Sequence, residues 1–153
     1  MSGSGSRTVD GIIDLIRKTS YIKDSDAIMT LQPTSPYRSV LDFQKAISHY
    51  QKKNLNSIIS VLYDETLSLS ILYKMVKSGR CIPLGTDHNK GIRRQDHGGL
   101  LVRNGSLYLT KVKHIIEKKS LIHDETGVVY MNKIHSINID TYEDLEFAKK
   151  ITI

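Results

Sequence analysis

Tryptophan is absent from the 153-residue sequence, and cysteine occurs once, at Cys81. A single cysteine cannot form an internal disulfide, and it leaves histidine without a second thiol for a zinc cluster. No apolar run approaches the roughly 18 residues that a membrane-spanning helix requires. The first residues, Met1–Ser6, contain no apolar segment of signal-peptide type. We therefore expect a cytoplasmic protein with no membrane partner, and we exclude a disulfide-rich scaffold.

The composition is typical of one globular domain. Apolar residues make up 39% of the chain and charged residues 25%, which excludes a wholly disordered chain. The net charge is +6, but aromatic residues are only 7% and the basic residues are scattered doublets such as Lys52-Lys53 and Lys149-Lys150. This pattern favours a solvated basic surface over a nucleic-acid groove, so no nucleic-acid partner is expected.

The first part of the chain alternates helix and strand patterns. Apolar spacing predicts a helix over Thr8–Lys18, and a β-branched run at 57–63 predicts a strand. Between them, 27–31 reads as a buried strand, and two prolines make 32–38 a loop. Ser39 is then the expected N-cap of a helix over 40–52, with apolar residues facing inward at Leu41, Phe43, Ala46 and Ile47. This order predicts an α/β fold with a parallel sheet.

The second part predicts a polar excursion followed by regular structure. Residues 64–99 read as an arm, with two short strands in 71–84. Further strands are expected at 106–109, 128–131 and 136–140. Thr110 is the expected N-cap of a helix through Lys119, and Thr141 with Asp144 forms a capping-box pattern that opens a last helix over 142–151.

Candidate site residues follow the strands, where ligands bind in parallel α/β folds. Each motif alone has an ordinary explanation. Ordinary turn chemistry explains the prolines of residues 32–38, Asp140 fits the charge preference of a helix N-terminus, and Asn104-Gly105 is a strong hairpin signal. The six histidines lack zinc-ligand spacing, and no nucleophile motif of Gly-x-Ser-x-Gly type occurs.

Taken together, the motifs resemble one family. Leu31-Gln-Pro-Thr-Ser-Pro-Tyr-Arg38 is similar to the Leu-Gln-Pro-Thr-Ser-Pro-Leu-Arg signature of the acylneuraminate cytidylyltransferases, the CMP-sialic acid synthetases and their relatives. Arg94-Gln-Asp96 followed by Asn104-Gly-Ser-Leu-Tyr108 resembles the family's Arg-Gln-Asp and Asn-Gly-Ala-Ile-Tyr pair. Ser136-Ile-Asn-Ile-Asp-Thr-Tyr-Glu-Asp144 resembles its Ser-Ile-Asp-Ile-Asp-Thr-x-x-Asp. The resemblance extends from about Thr8 to the C-terminus.

The resemblance implies a nucleotidyltransferase reaction. A hydroxyl of a sialic-acid-like nonulosonic acid would attack the α-phosphate of CTP with Mg²⁺ assistance, giving the CMP-sugar and pyrophosphate. The implied substrate-binding residues are Gln32, Arg94, Gln95, Asn104 and Tyr108. Asp140 would be the catalytic metal ligand, and Asn138 stands beside it where the family has Asp, which predicts weaker metal binding. The family also implies a homodimer formed through the arm at about 64–99.

The resemblance also implies a three-layer, Rossmann-like nucleotidyltransferase fold. The family's first strand and phosphate-binding loop have no match, so we expect a flexible Gly/Ser leader over 1–6 and a partial, N-terminally truncated cytidylyltransferase domain over 7–153. This chain alone is therefore expected to lack measurable CMP transfer. The alternatives are a non-catalytic remnant that serves as a homodimeric assembly or sugar-binding module, and a polyanion-binding domain.

Overall fold

The structure is a computed structural model that describes residues 8–77, 79–91, 93 and 98–151. By its internal contacts the chain divides into two compact units, residues 62–102 and the remainder. Within the described residues no helix is both long and apolar enough to cross a membrane.

Helices and strands alternate along the chain. The helices are α1 (Thr8–Lys18), α2 (Val40–Lys53), α3 (Val112–Lys118) and α4 (Tyr142–Lys149), with a 3₁₀ turn at Leu69–Ile71. The strands are β1 (Ala27–Leu31), β2 (Ser57–Asp64), β3 (Tyr73–Met75), β4 (Cys81–Pro83), β5 (Leu100–Lys111) and β6 (Gly127–Tyr130). The α/β class predicted from the sequence is confirmed.

The main sheet has the order β1-β5-β2-β6 and is mixed. β2 and β6 are parallel, whereas β5 runs antiparallel to β1 with Leu31 opposite Leu107 and Ala27 opposite Lys111. β5 also runs antiparallel to β2, because Lys111 bonds to Asn56 and Leu107 bonds to Ser60. The predicted parallel sheet is therefore confirmed for the β2–β6 pair and wrong for β5, which runs antiparallel to both of its neighbours.

Helices cover both faces of this sheet. On one face, α2 contributes Ala46 to a core with residues of β2, β5 and β6, and Ala27 and Met29 of β1 pack against it. On the other, α1 and α3 form a second core around Val9, Ile13 and Ile115, against which Ile28 packs. Ile28 lies between Ala27 and Met29, and successive strand residues point to opposite faces, so the two cores lie on opposite sides of β1.

Two of the three predicted helix caps, Ser39 and Thr141, are confirmed, and each includes a full capping box. The Ser39 side chain accepts from the Asp42 backbone while Asp42 accepts from the Ser39 backbone, and Thr141 and Asp144 do the same at α4. In α2, however, Leu41 and Ile47 are exposed, and the buried residues are Asp42 and Ala46. The inward positions of Leu41 and Ile47 were thus predicted wrongly.

Three further expectations differ from the structure. Thr110 is a buried residue of β5 whose hydroxyl donates to the Leu121 carbonyl, and Lys111 takes the N-cap position of α3. Residues 136–140 form no strand. Gly105 lies inside β5 with a φ of 73°, so Asn104-Gly105 is a local distortion of one strand rather than a hairpin turn.

The unit of residues 62–102 contains the predicted pair of short strands. β3 and β4 form an antiparallel hairpin. The Tyr63 hydroxyl donates to the Gly98 carbonyl at 2.9 Å, and a Cβ on Gly99 would lie 2.5 Å from the Tyr63 ring. Glycine at position 99 therefore permits this close approach.

Candidate functional site

The segment of residues 32–38, here called the proline loop, follows β1 and is fixed to β5. One guanidinium nitrogen of Arg38 donates to the carbonyl oxygens of Gln32 and, at 3.1 Å, of Ser106. The backbone N–H of Ser35, a buried residue, also donates to the Gln32 carbonyl at 3.2 Å. Partial burial lowers the pKa of the Arg38 guanidinium. Arg38 thus sets the position of Gln32.

Residues 136–140, the aspartate loop, are attached directly to the proline loop. The Ile139 backbone N–H donates to the Thr34 backbone carbonyl at 2.8 Å, and the Ser35 hydroxyl donates to the side-chain amide oxygen of Asn138 at 3.4 Å. The Asn138 amide in turn donates to one carboxylate oxygen of Asp140 at 2.7 Å. The two segments that carry Gln32 and Asp140 are therefore held together through Thr34 and Ser35.

The start of α4 fixes the far end of the aspartate loop. The backbone N–H of Thr141, its hydroxyl and the backbone N–H of Asp140 all donate to Asp144, and they hold the pKa of that carboxyl below its ordinary value. At the other end of α4, the Tyr37 hydroxyl donates to the Ala148 carbonyl. The aspartate loop therefore lies between fixed neighbours on both sides.

Asn104 is at the centre of a polar network inside the protein. Its side-chain oxygen accepts from the Ser60 hydroxyl and, at 3.1 Å, from the Ser106 backbone. Its amide nitrogen donates to the Ser136 hydroxyl at 2.9 Å and lies 3.5 Å from the Met131 sulfur. Asn104 thus connects β5 with β2 and with the start of the aspartate loop, and these contacts use the full hydrogen-bonding capacity of an amide.

Gln32 and Tyr108 line a cavity of about 270 Å³ together with Arg103. The remaining lining residues come from the start of α1 and the segment after α3: Thr8, Val9, Lys119, Ser120, Leu121 and Ile122. In the described part of the chain, nothing forms a hydrogen bond or ion pair with the Arg103 guanidinium. The cavity therefore offers an uncommitted cation, an amide and a phenol, a combination suited to a carboxylate that carries hydroxyl groups.

The predicted site residues thus occupy three positions. Gln32 and Tyr108 share the cavity, Asn138 and Asp140 lie on the adjoining aspartate loop, and Asn104 lies in the network beside it. Arg94 and Gln95 lie outside the described residues. Whether these residues bind substrate remains a prediction.

The sequence interpretation missed Arg103 and the pair Asp42–His135. Arg103 directly precedes the Asn104-Gly105 motif, so its charge next to that motif was an available signal. The Asp42 carboxylate is buried at the start of α2 and lies 2.8 Å from the His135 ring nitrogen, just before the aspartate loop. Nothing in the local sequence indicates that pair, because the two residues are far apart in the chain.

The donor set on the aspartate loop fits a Mg²⁺ ion that takes most of its ligands from elsewhere. One Asp140 oxygen accepts from Asn138, and within the described residues nothing donates to the other. No described group of three or more His, Cys, Asp or Glu side chains could hold a metal ion. A single exposed carboxylate is compatible with Mg²⁺, which commonly binds one or two carboxylates together with water and substrate phosphates.

Curated relatives match most of this chain. The N-acylneuraminate cytidylyltransferase of Streptococcus agalactiae serotype V is 28% identical over 123 residues, which cover 80% of this chain and 29% of that protein. The chain is similar to the acylneuraminate cytidylyltransferases. The resemblance drawn from the motifs is thereby confirmed.

Two other relatives match nearly the whole chain. The CMP-N,N'-diacetyllegionaminic acid synthase of Legionella pneumophila is 28% identical over 148 residues, covering 95% of this chain and 62% of that protein. N-acylneuraminate cytidylyltransferase A of Danio rerio is 27% identical over 152 residues, covering 98% and 34%. The chain therefore spans less than two thirds of the length of each of these cytidylyltransferase-like relatives. No protein-family model matches it.

Proposed function

We propose that this chain forms the sugar-acid side of a CMP-nonulosonic acid synthetase, which transfers CMP from CTP to a sialic-acid-like sugar. The observation that carries the proposal is the cavity shared by Gln32, Arg103 and Tyr108. Gln32 and Tyr108 come from two of the motifs that resemble the family, and Arg103 directly precedes the second of these motifs. The names of the relatives, each a cytidylyltransferase or CMP-sugar synthase, support the same reaction class.

In this proposal each cavity residue has a role set by its chemistry. Arg103 pairs with the carboxylate of the sugar acid, since a guanidinium presents two parallel N–H donors to a carboxylate. The Gln32 amide and the Tyr108 hydroxyl bond to sugar hydroxyls. Arg38 acts indirectly, because its bonds to the Gln32 and Ser106 carbonyls fix the proline loop on β5.

The aspartate loop is the proposed metal side. Asp140 would hold Mg²⁺ through its second carboxylate oxygen, with Asn138 beside it. When bound, the ion supplies charge neutralisation at the CTP phosphates. The hydrogen bonds from Ile139 to Thr34 and from Ser35 to Asn138 fix this loop beside the proline loop that carries Gln32.

We also propose that the fold is a three-layer, Rossmann-like nucleotidyltransferase fold and that the protein is a homodimer. Helices on both faces of the mixed sheet support the first statement. For the second, the unit of residues 62–102 exposes apolar side chains, among them Met75 at 80% and Leu84 at 54% exposure. Isologous pairing is the commonest way to bury such a surface.

A non-catalytic sugar-binding module is the second candidate. It is favoured by Asn138, which leaves the aspartate loop with one carboxylate where the similar family motif has two. Such a module would bind the sugar acid through the same cavity but would bind CTP and Mg²⁺ weakly.

Calorimetric titration distinguishes these functions. We expect saturable binding of N-acetylneuraminic acid, and binding of CTP in the presence of Mg²⁺ if the chain acts as a synthetase. If the chain binds the sugar acid but does not bind CTP, the result would indicate the non-catalytic sugar-binding module. Binding of an oligonucleotide alone would contradict both. Pyrophosphate release with CTP, Mg²⁺ and a panel of nonulosonic acids then tests turnover.

A further inference from the structure

A second cavity lies at the other end of β5, away from the proline loop. It has a volume of about 250 Å³ and is here called the basic cavity. It is lined by Asn56, Lys111, Lys113, His114, Glu117, Lys118 and His123. The proline loop follows Leu31, which pairs with Leu107, whereas Lys111 pairs with Ala27 at the opposite end of the strand pair. None of the residues that line the basic cavity takes part in the function proposed above.

The backbone around the basic cavity is fixed by hydrogen bonds. The Lys111 N–H donates to the Asn56 carbonyl at 3.0 Å, and the Val112 N–H donates to the Asp26 carbonyl at 2.8 Å. The His123 N–H donates to the Ser57 hydroxyl at 2.9 Å, and Ser57 is buried. A ligand would therefore meet a preformed frame, which reduces the entropy cost of binding.

Positive charge dominates the lining. The Glu117 carboxylate lies 3.9 Å from the Lys113 ammonium, and both side chains are more than half exposed, so water screens that pair strongly. Within the described residues no carboxylate forms an ion pair with Lys111 or Lys118. Three ammonium groups around one cavity repel one another, and an anion bound between them relieves that repulsion.

The two histidines add a directed donor. The His114 Nε2 atom lies 3.2 Å from the Ile122 carbonyl oxygen and must carry a proton to bond there. The His123 Nδ1 atom accepts the Glu125 backbone N–H at 3.0 Å, so the proton of its neutral ring is on Nε2. The ring centroids are 4.9 Å apart. Because His123 Nδ1 is occupied, its Nε2–H is the ring donor left for a ligand.

We propose that the basic cavity binds a phosphate-type oxyanion. Three ammonium groups, an imidazole N–H and the Asn56 amide supply several donors, and phosphate offers several acceptor oxygens with a charge near −2. The lysines and the lack of a described cluster of three metal-ligating side chains argue against a cation. The volume lies just below the range of about 300–1,000 Å³ typical of drug-sized ligands, which favours a small anion.

The test is calorimetric titration of the full chain with inorganic phosphate and, separately, with pyrophosphate. Imidazole NMR signals are recorded in parallel. We expect saturable binding of at least one of the two anions, weakening as salt is raised, with the His114 and His123 signals shifting together. The anion that binds more tightly, phosphate or pyrophosphate, shows whether one or two phosphate groups fit the cavity.

Variants then test the lining. Lys111→Ala with Lys118→Ala removes two charge-assisted donors and should weaken binding about tenfold or more. Lys52→Ala with Lys53→Ala, a matched loss of charge at the end of α2, should leave the affinity within about twofold. Glu117→Gln removes the acidic group and should tighten binding.

Two results would overturn the proposal. The first is no saturable binding of either anion, whether or not the chain binds an oligonucleotide. The second is an equal loss of affinity in both double-lysine variants, which would indicate only general charge attraction. If the double variant Lys111→Ala with Lys118→Ala does not fold, two measurements still test the proposal. They are the anion affinity of Glu117→Gln and the shifts of the His114 and His123 signals in the natural chain. The sugar-acid titration is independent of all these outcomes.

Discussion

Asn104 shows how a residue expected to bind substrate can also hold the protein together. Its amide bonds to Ser60, Ser106 and Ser136. A sugar hydroxyl could bond to it only by replacing one of these internal partners. The motif identified the residue from the sequence, but the partners come from β2 and from the aspartate loop, which no local pattern reveals.

Replacing Asn104 with alanine should therefore destabilise the protein even without substrate. We expect a loss of about 1–3 kcal/mol in the free energy of unfolding, because the Ser60 hydroxyl and the Ser106 N–H lose a partner in a buried setting. Urea denaturation measures the change. Asn89→Ala, at an exposed position in the other unit, is the control. Equal midpoints for the two variants would contradict the network described here.

Asn138→Asp should increase the effect of Mg²⁺. The Asn138 amide now donates to Asp140 at 2.7 Å, so a second carboxylate there would repel the first unless a cation lies between them. We expect the variant to be less stable than the natural chain without metal and to gain more in melting temperature when Mg²⁺ is added. An identical Mg²⁺ response in both proteins would argue against a metal on the aspartate loop.

At the scale of elements, local chemistry was enough where the partners are neighbours in sequence. Ser39 and Thr141 were recognised as caps because the capping box spans only four residues. Residues 136–140, by contrast, were wrongly predicted as a strand from their alternating pattern. The Ile139 backbone N–H bonds instead to the Thr34 carbonyl, in a loop far away in the sequence. In α2, Phe43 and Ala46 pack into the core as predicted, but Leu41 and Ile47 were misjudged, since both are exposed.

The capping box of α4 should make stability depend on pH in a defined direction. Hydrogen bonds from Thr141 and Asp140 lower the pKa of Asp144 in the folded state. Its contribution is therefore present above the ordinary pKa of an aspartic acid, about 4, and is lost as the pH falls through the folded value.

Asp144→Asn should accordingly be less stable than the natural chain at pH 6, and the difference should shrink as the pH falls below about 4. Thermal melts of both proteins across this range measure it. Glu143→Gln, the neighbouring acid in the same helical turn, is the matched control. A difference that stays constant with pH would contradict the role given to the Asp144 carboxylate.

At the scale of the whole molecule, the sheet order could not be read from the sequence. Strand patterns predicted β1 and β2, but β5 inserts between them after an excursion of more than thirty residues, in the opposite direction. Such long-range pairing leaves no periodic signal. The same insertion brings Arg103 and Tyr108 beside Gln32, so the cavity too is a product of topology.

Dimerisation through the arm is the prediction that belongs to this scale. Tyr73 and Met75 lie on one face of β3 and are 49% and 80% exposed. The double variant Tyr73→Glu with Met75→Glu should convert the dimer to a monomer, because charge on an apolar contact surface opposes association. Light scattering at micromolar concentration measures the mass. Lys74→Glu, on the opposite face of the same strand, is the control, and a monomeric natural chain would contradict the prediction.

The most direct test of the proposed function is the dissociation constant for N-acetylneuraminic acid in the natural chain and in Arg103→Gln, measured by calorimetry. The variant keeps hydrogen-bonding capacity but loses the charge that pairs with the carboxylate. We predict saturable binding by the natural chain and a loss of about tenfold or more in the variant, with Arg93→Gln as a matched control that binds normally. Equal affinities for the natural chain and Arg103→Gln, or no binding by either, would contradict the assignment of this cavity to the sugar acid.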